Sequence, residues 1–126
     1  MILALDAHAL LWALLGDKGQ LSATTLRTLG DPANDVLVSA ATIWEIEIKR
    51  SAGRVEAPDD LVETVVATRF DLLPIMGTDA IAAARLPLLH RDPFDRMLIA
   101  QAIRLDAVVV TRDRVFASYP INVLAA

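Results

Sequence analysis

The chain has 126 residues, of which 55% are hydrophobic, and it contains no cysteine. This length and apolar fraction predict a single domain, spanning 1–126, with a continuous core. A formal net charge of −4 argues against a protein that coats nucleic acid through bulk positive charge. The lack of cysteine excludes a disulfide framework and a thiolate site, and it makes a cytoplasmic location the default expectation.

Membrane insertion is not expected from the hydrophobic pattern. Asp6 and His8 interrupt the first apolar stretch, so no run approaches the roughly 20 apolar residues of a membrane span. No basic region precedes that stretch, as it does in a signal peptide. We therefore expect neither a membrane span nor a signal peptide.

Predicted strands and helices alternate along the chain. Apolar runs that end at polar or turn residues predict strands at 2–5, 36–38, 70–75, 108–110 and 121–124. Helical spacing between capping residues predicts helices at 8–15, 22–29, 40–51, 58–69, 78–85 and 93–105. Pro74 indicates an edge strand. This alternation predicts an α/β fold, a three-layer α/β/α sandwich around a parallel sheet of about five strands with 2–5 at its centre.

Two tryptophans and one threonine receive structural roles from their local context. Trp12 lies at helical spacing from Leu11 and Leu15, and Trp44 shares a helix face with Ile48, so both indoles are predicted to be core aromatics. Thr78 is predicted to cap the helix that runs to 85.

The stretch 90–113 carries the clearest helix and strand signals. Asp92 is a good N-cap, Pro93 suits the first helical position, and Asp95 falls at the third. Asp113 follows the β-branched strand that comes after this helix. Open α/β sheets place their chemistry in the crevice at the carboxyl ends of parallel strands. Asp95 and Asp113 are therefore expected to meet there.

Four acids lie at strand ends or in the first turns of the adjoining helices: Asp6, Glu45, Asp95 and Asp113. Crowded carboxylates repel one another, and their pKa values rise unless a cation joins them. Mg²⁺ takes oxygen ligands of this kind and keeps several waters. Such a site activates water for phosphodiester cleavage, so we take all four acids as candidate metal ligands.

Structural interpretations remain open beside the functional ones. Glu45 is equally well placed to pair with Lys49, four residues further along the helix. Asp92 is better explained as a helix cap than as a ligand. His8 and His90 lack the paired spacing of a zinc site, and we predict that they are local hydrogen-bonding groups.

Seven of the 12 basic residues lie in the segments that carry the candidate acids. Basic residues interleaved with acids fit a site that holds a cation and receives a phosphodiester backbone. An ordinary solvated surface explains the same pattern equally well. The seven residues are Lys49, Arg50, Arg54, Arg91, Arg96, Arg112 and Arg114.

Four blocks of sequence also resemble a known family. The blocks are LDAHALLW at 5–12, SAATIWEI at 39–46, HRDPFDRMLIAQA at 90–102 and VTRD at 110–113. Together they are similar to the PIN-domain ribonucleases of the VapC toxin family, over almost the whole chain. The resemblance implies an Mg²⁺- or Mn²⁺-dependent endoribonuclease, the toxin of a type II toxin–antitoxin module, which a cognate antitoxin holds inactive.

The resemblance also implies site residues. Asp6, Glu45, Asp95 and Asp113 match the acidic cluster of the family, and Thr111 matches the hydroxyl position beside the last acid. We therefore expect these five residues to be the catalytic set and the four acids to hold the metal.

This sequence departs from the family pattern at two positions. Ala7 stands where the family usually has Thr or Ser, and loss of that hydroxyl is expected to loosen the support of Asp6. Glu47 adds an acid where the family commonly has a small apolar residue.

The expected partners are an RNA substrate, a cognate antitoxin and a second copy of the chain. The antitoxin is expected to lie beside apolar surface on the helices at 8–15 and 22–29, and a homodimer is expected to use the remaining apolar surface. The alternative function is a non-catalytic RNA-binding or receiver-like signalling module. A receiver needs paired acids near the first strand and a lysine after the last one, which this sequence does not supply.

Overall fold

The computed structural model describes residues 1–16 and 20–126. The strands are β1 (Ile2–Leu5), β2 (Asp35–Ser39), β3 (Asp71–Leu73), β4 (Val108–Thr111) and β5 (Asn122–Ala125). The helices are α1 (Ala7–Leu15), α2 (Ala23–Gly30), α3 (Ala40–Ser51), α4 (Leu61–Ala67), α5 (Gly77–Arg85) and α6 (Pro93–Leu105). A 3₁₀ helix (Arg114–Ser118) connects β4 to β5. Every predicted strand and helix is present, with bounds that shift by a few residues.

All five strands are parallel, in the spatial order β3-β2-β1-β4-β5. Leu3 of β1 lies opposite Val36 of β2 and Val108 of β4, so β1 is the central strand. β3 is an edge strand, as Pro74 predicted. The predicted α/β/α sandwich around a parallel sheet is confirmed, and the carboxyl ends of the strands share one edge.

Alternate residues of the central strand face two separate core clusters. Leu3 and Leu5 pack with Leu10 of α1 and Ile46 of α3 on one face of the sheet. Ala4 packs on the other face, in a cluster that includes Leu98 and Ile99 of α6, Val109 of β4 and Phe116 and Tyr119 beyond it. Because successive strand residues point to opposite faces, the short run 2–5 supplies both cores.

The structure corrects two local predictions. Trp44 is 62% exposed and contacts Phe94 edge-on, so it is not a core aromatic, and Trp12 is half-buried. Thr78 does not cap α5, because this helix begins at Gly77 and the Asp79 carboxylate accepts a hydrogen bond from the backbone N–H of Met76 (3.0 Å). Helical spacing alone does not reveal which apolar face a neighbouring element covers.

Arg96 is a buried structural residue rather than part of a surface that receives a phosphodiester. Its guanidinium donates to five backbone carbonyl oxygens, those of Ala83, Ala84, Leu86, Pro87 and His90, at 2.8 to 3.3 Å. Carbonyls at the end of a helix have no intrahelical donor, so Arg96 supplies the donors that the end of α5 lacks. It thereby ties the segment after α5 to the start of α6.

Exposed apolar side chains are concentrated on the segment from α3 to α5. Among the described residues, α1 and α2 expose the large apolar side chains Leu15 and Leu26, fewer than the sequence led us to expect. The segment from α3 to α5 exposes Trp44, Ile48, Val62, Val66, Leu72, Ile75, Met76 and Ile81. In the part of the chain that the structure describes, no helix has the length and apolar character needed to cross a membrane.

Candidate metal centre at the carboxyl edge of the sheet

A cavity of about 160 Å³ opens at the carboxyl edge of the sheet. All four acids singled out from the sequence line it. The full lining is Asp6, Ala7, His8, Trp12, Glu45, Lys49, Asp92, Asp95, Arg112 and Asp113. The fold therefore gathers on one cavity acids that are separated by up to about a hundred residues along the chain.

Asp6 follows β1 and has both carboxylate oxygens occupied. Oδ1 accepts a hydrogen bond from the backbone N–H of Ala9 (2.9 Å), and Oδ2 accepts one from the Thr111 hydroxyl (2.5 Å). Burial raises the pKa of Asp6 above the ordinary aspartate value, and these two hydrogen bonds oppose the rise. Asp6 therefore keeps a fixed orientation although residue 7 has no hydroxyl.

Thr111 lies behind the cavity rather than in its lining. Its hydroxyl oxygen donates to Asp6 and accepts a hydrogen bond from the backbone N–H of Asp113 (3.0 Å), and its side chain is buried. Thr111 thus connects the first and last acids of the site. This geometry gives Thr111 a positioning role, and its place in the catalytic set stays a prediction.

His90, Asp95 and Asp113 form the tightest group of potential ligands. One atom from each residue lies within 4.8 Å of the other two. His90 Nε2 is 2.7 Å from Asp95 Oδ2 and 3.6 Å from Asp113 Oδ2. The other oxygen of Asp113 accepts from the backbone N–H of Val115 (3.0 Å), which orients Oδ2 towards the histidine.

Asp95 has the most perturbed carboxyl group of the site. Burial, followed by the charge of Asp92, raises the pKa of Asp95 to about 7, against the hydrogen bond from His90. Keeping a buried carboxylate charged costs free energy unless a cation compensates its charge. The same physical cause acts on Asp6, so two of the acids favour a positive partner.

The position of His90 was missed by sequence reasoning, which predicted only a local hydrogen-bonding group. Its backbone N–H donates to the Tyr119 hydroxyl (2.8 Å), its carbonyl accepts from Arg96 (3.0 Å), and its ring lies edge-on to Phe116. These contacts fix the imidazole beside Asp95 and Asp113, two acids that line the cavity. The sequence feature that could have revealed this position is that His90 stands in the same block, 90–102, as Asp95.

Glu45 and Asp92 each combine a structural contact with a place on the cavity wall. Glu45 Oε2 is 2.7 Å from Lys49 Nζ, so the helix-surface pair expected as an alternative does form. Asp92 Oδ1 accepts from the backbone N–H groups of Phe94 (2.8 Å) and Asp95 (3.1 Å), which confirms it as the cap of α6. Neither Asp6 nor Glu45 belongs to the group within 4.8 Å that the described residues form.

The seven basic residues divide by location. Lys49 and Arg112 line the cavity, whereas the side chain of Arg96 is buried away from it. Arg50 pairs with Asp59 and lies 3.8 Å from Glu47, which gives Glu47 a surface partner. The three others, Arg54, Arg91 and Arg114, are exposed and do not line the cavity. Two of the seven are therefore placed to meet a ligand.

The donor set fits a hard divalent cation. Two carboxylate oxygens and one imidazole nitrogen converge beside further carboxylates, and oxygen and imidazole donors suit Mg²⁺, Mn²⁺ and related ions. Asp6 and Glu45 approach the same volume from the other elements. The site residues named from the sequence stay predictions, to which the geometry adds His90.

The fold and the clustered carboxylates place this chain among the α/β proteins whose functional site lies at the carboxyl ends of parallel strands. The profile of the PIN domain matches residues 3–122. The chain belongs to the PIN-domain family. No curated protein matches the sequence at a significant level.

Solved structures with a similar fold include three toxin–antitoxin assemblies. VapBC2 from Rickettsia felis, bound to a promoter DNA fragment, matches with a TM-score of 0.70 at 14% identity, over 98% of each chain. DNA-bound VapBC from Salmonella typhimurium matches with a TM-score of 0.67 at 19% identity, over 98% of this chain and 97% of that one. VapBC-5 from Mycobacterium tuberculosis matches with a TM-score of 0.63 at 19% identity, over 99% and 98%. At these identities the likeness shows the fold.

Proposed function

We propose that this protein is a metal-dependent endoribonuclease and the toxin of a toxin–antitoxin pair. The observation that carries the proposal is the convergence of Asp6, Glu45, Asp95 and Asp113 on one cavity of a PIN domain, with His90 close to Asp95 and Asp113. Membership of the PIN family and the likeness to VapBC assemblies support it.

The metal is proposed to be Mg²⁺ or Mn²⁺, held by Asp6, Glu45, Asp95 and Asp113, with His90 as a further potential ligand beside Asp95 and Asp113. A bound ion of this kind supplies an activated water and neutralises charge on the phosphodiester. The raised pKa values of Asp6 and Asp95 fit this role, because a divalent cation favours the charged form of a carboxyl group.

The protein's own residues hold this centre and prepare it for a polyanion. Thr111 and the N–H of Ala9 keep Asp6 in one orientation, and Arg96 and Tyr119 hold the backbone of His90. Lys49 and Arg112 add positive charge to the cavity wall, where a phosphodiester backbone must approach four carboxylates.

The proposed partners are an antitoxin and a second copy of the chain. The apolar surface from α3 to α5 adjoins a cavity of about 200 Å³, which is lined by Ala41, Trp44 and Ile75 of that segment and by Pro93, Phe94 and Met97 of α6. Exposed apolar surface of this kind marks interaction sites. We propose that a partner covers it and that a basic side chain of the antitoxin reaches the carboxylates, since guanidinium binds carboxylate oxygens in pairs.

The decisive experiment is an assay of the purified protein on total RNA with Mg²⁺, with Mn²⁺ and with EDTA. Cleavage that needs the metal and is lost in Asp6→Asn is the expected result. Glu56→Gln is the matched control, because Glu56 is an exposed acid that does not line the cavity. A folded protein that cleaves no RNA with either metal contradicts the proposal, as does cleavage that survives both EDTA and Asp6→Asn.

The toxin role has its own test. Expression of the chain alone should arrest growth, and co-expression with a protein encoded in an adjacent reading frame should relieve the arrest. Light scattering reports the assembly. A monodisperse monomer that is harmless alone and has no binding protein encoded beside it contradicts the toxin role, even if nuclease activity survives.

A further inference from the structure

One wall of the acidic cavity is built from two aromatic rings and a guanidinium. The rings of His8 and Trp12 are stacked, with centroids 5.6 Å apart and planes 25° from parallel. The guanidinium carbon of Arg112 lies 4.4 Å from the Trp12 ring centroid, in cation–π contact. All three side chains line the cavity that holds the four acids.

This wall is accessible to a ligand. His8 and Arg112 are exposed and Trp12 is half-buried, so the group does not close over as core packing does. The other aromatic pair that carries an indole, Trp44 with Phe94, meets edge-on and lines an apolar cavity without acids. A stacked pair beside a charged site is therefore a separate feature from the apolar surface on α3.

Arg112 does not pair with the acids that line the cavity. Its Nε donates to the main-chain oxygen of Ala126 (3.1 Å), and Nη1 donates to the side-chain oxygen of Gln20 (3.2 Å). Within residues 1–16 and 20–126, no side-chain carboxylate forms an ion pair with Arg112. Among these residues, the guanidinium is thus held in place on the tryptophan without an Asp or Glu partner.

On the basis of the ribonuclease function proposed above, we propose that His8, Trp12 and Arg112 form a nucleobase subsite for single-stranded RNA. An unpaired base next to the scissile phosphodiester stacks on the His8 and Trp12 rings, and Arg112 donates to an adjacent phosphate. Bases of single-stranded RNA stack on aromatic side chains and on guanidinium planes. Phosphate is a preferred ligand of arginine.

The subsite has a consequence for specificity. A base that is paired inside a duplex offers no free face, so cleavage should occur in loops and unpaired ends. Stacking also discriminates weakly among bases, since each base has a π face. Sequence preference at this position should therefore follow stacking strength rather than one hydrogen-bonding pattern.

The test uses the intact chain with Asp6→Asn, which is expected to block cleavage, and Trp44→Phe, which leaves Trp12 as the sole indole. Trp12 fluorescence is titrated with an unstructured oligoribonucleotide of eight nucleotides, and with the same strand carrying an abasic site at each position in turn. The intact strand is expected to quench Trp12, and one abasic position is expected to relieve the quenching while the phosphates remain.

Variants of the wall provide the second measurement. Trp12→Leu should weaken binding of the oligoribonucleotide by about 5- to 150-fold, the range that one stacked base contributes, and Trp12→Phe should restore most of the loss. Arg112→Ala should lower the slope of log affinity against log salt by about one. The matched control is Arg114→Ala, an exposed arginine outside the cavity, which should leave that slope unchanged.

The outcomes separate this subsite from the nuclease function. Suppose that the parent protein cleaves RNA, that abasic strands bind as tightly as the intact strand, and that Trp12→Leu binds RNA as tightly as the protein that retains Trp12. The subsite is then wrong and the nuclease proposal stands. If the parent protein neither cleaves nor binds RNA, both are wrong. Base-dependent quenching together with the loss of affinity in Trp12→Leu supports the subsite.

Discussion

Replacing Arg96 with methionine is expected to destabilise the fold and to release His90 from the metal centre. The Arg96 side chain is buried, and its five hydrogen bonds tie the end of α5 and the following segment to α6. Methionine keeps most of the length of the side chain and none of the donors.

The magnitude follows from the bonds that are lost. A hydrogen bond to a charged group contributes about 1.5 to 3 kcal/mol, and the N–H groups of Nη1 and Nη2 share the five carbonyls, so at the low end the contacts together contribute roughly 6 kcal/mol. Leu88 and Leu89 are exposed, so water can reach carbonyls of this segment once the arginine is removed. We therefore expect a loss of about 3 to 4 kcal/mol in the free energy of unfolding, or roughly 10 to 15 °C in Tm.

Urea denaturation with parallel Mn²⁺ titration measures both effects. Arg91→Met is the control, since Arg91 is an exposed arginine five residues earlier. Arg96→Lys should fall between Arg96→Met and the parent, because an ammonium keeps the charge but has fewer donors. If Arg96→Met is within 1 kcal/mol of the parent, or if it binds Mn²⁺ as tightly, the carbonyl contacts do not support the site as we infer.

Three further predictions concern single residues. Millimolar Mg²⁺ or Mn²⁺ should raise the Tm of the parent, because metal at a hundred times Kd adds about 2.7 kcal/mol to the free energy of unfolding. Asp6→Asn should remove this rise in Tm, and an undiminished rise would take Asp6 out of the site. His90→Gln should weaken Mn²⁺ binding by about 10-fold or more and Mg²⁺ binding less, because Mg²⁺ prefers oxygen ligands; equal losses in calorimetry would exclude an imidazole ligand. Asp79 has a lowered pKa because Arg104 pairs with it (2.6 Å), so this pair stabilises the fold above the ordinary aspartate pKa and the gain is lost as pH falls through the folded value. Asp79→Asn should therefore be less stable than the parent at pH 7 in thermal unfolding, with the difference vanishing in acid.

The sequence by itself determined the elements, their order and the positions of the acids. Apolar runs, capping residues and turn residues act over a few neighbours, so Asp92 and Pro93 predict the start of α6 without knowledge of the rest of the chain. Parallel strands bring their carboxyl ends to one edge, which is why Asp6 and Asp113 could be placed together before any distance was known.

Only the tertiary structure decided which side chains complete or support the site. The Thr111 hydroxyl reaches Asp6 across 105 positions of sequence, His90 is held by Tyr119 from 29 residues away, and Arg96 binds carbonyls up to 13 residues earlier. Trp44 is exposed because no described element covers its face of α3, although its spacing is that of a core residue. Local patterns specify backbone conformation and burial tendency, whereas the partner of a side chain depends on which distant segments the completed sheet places beside it.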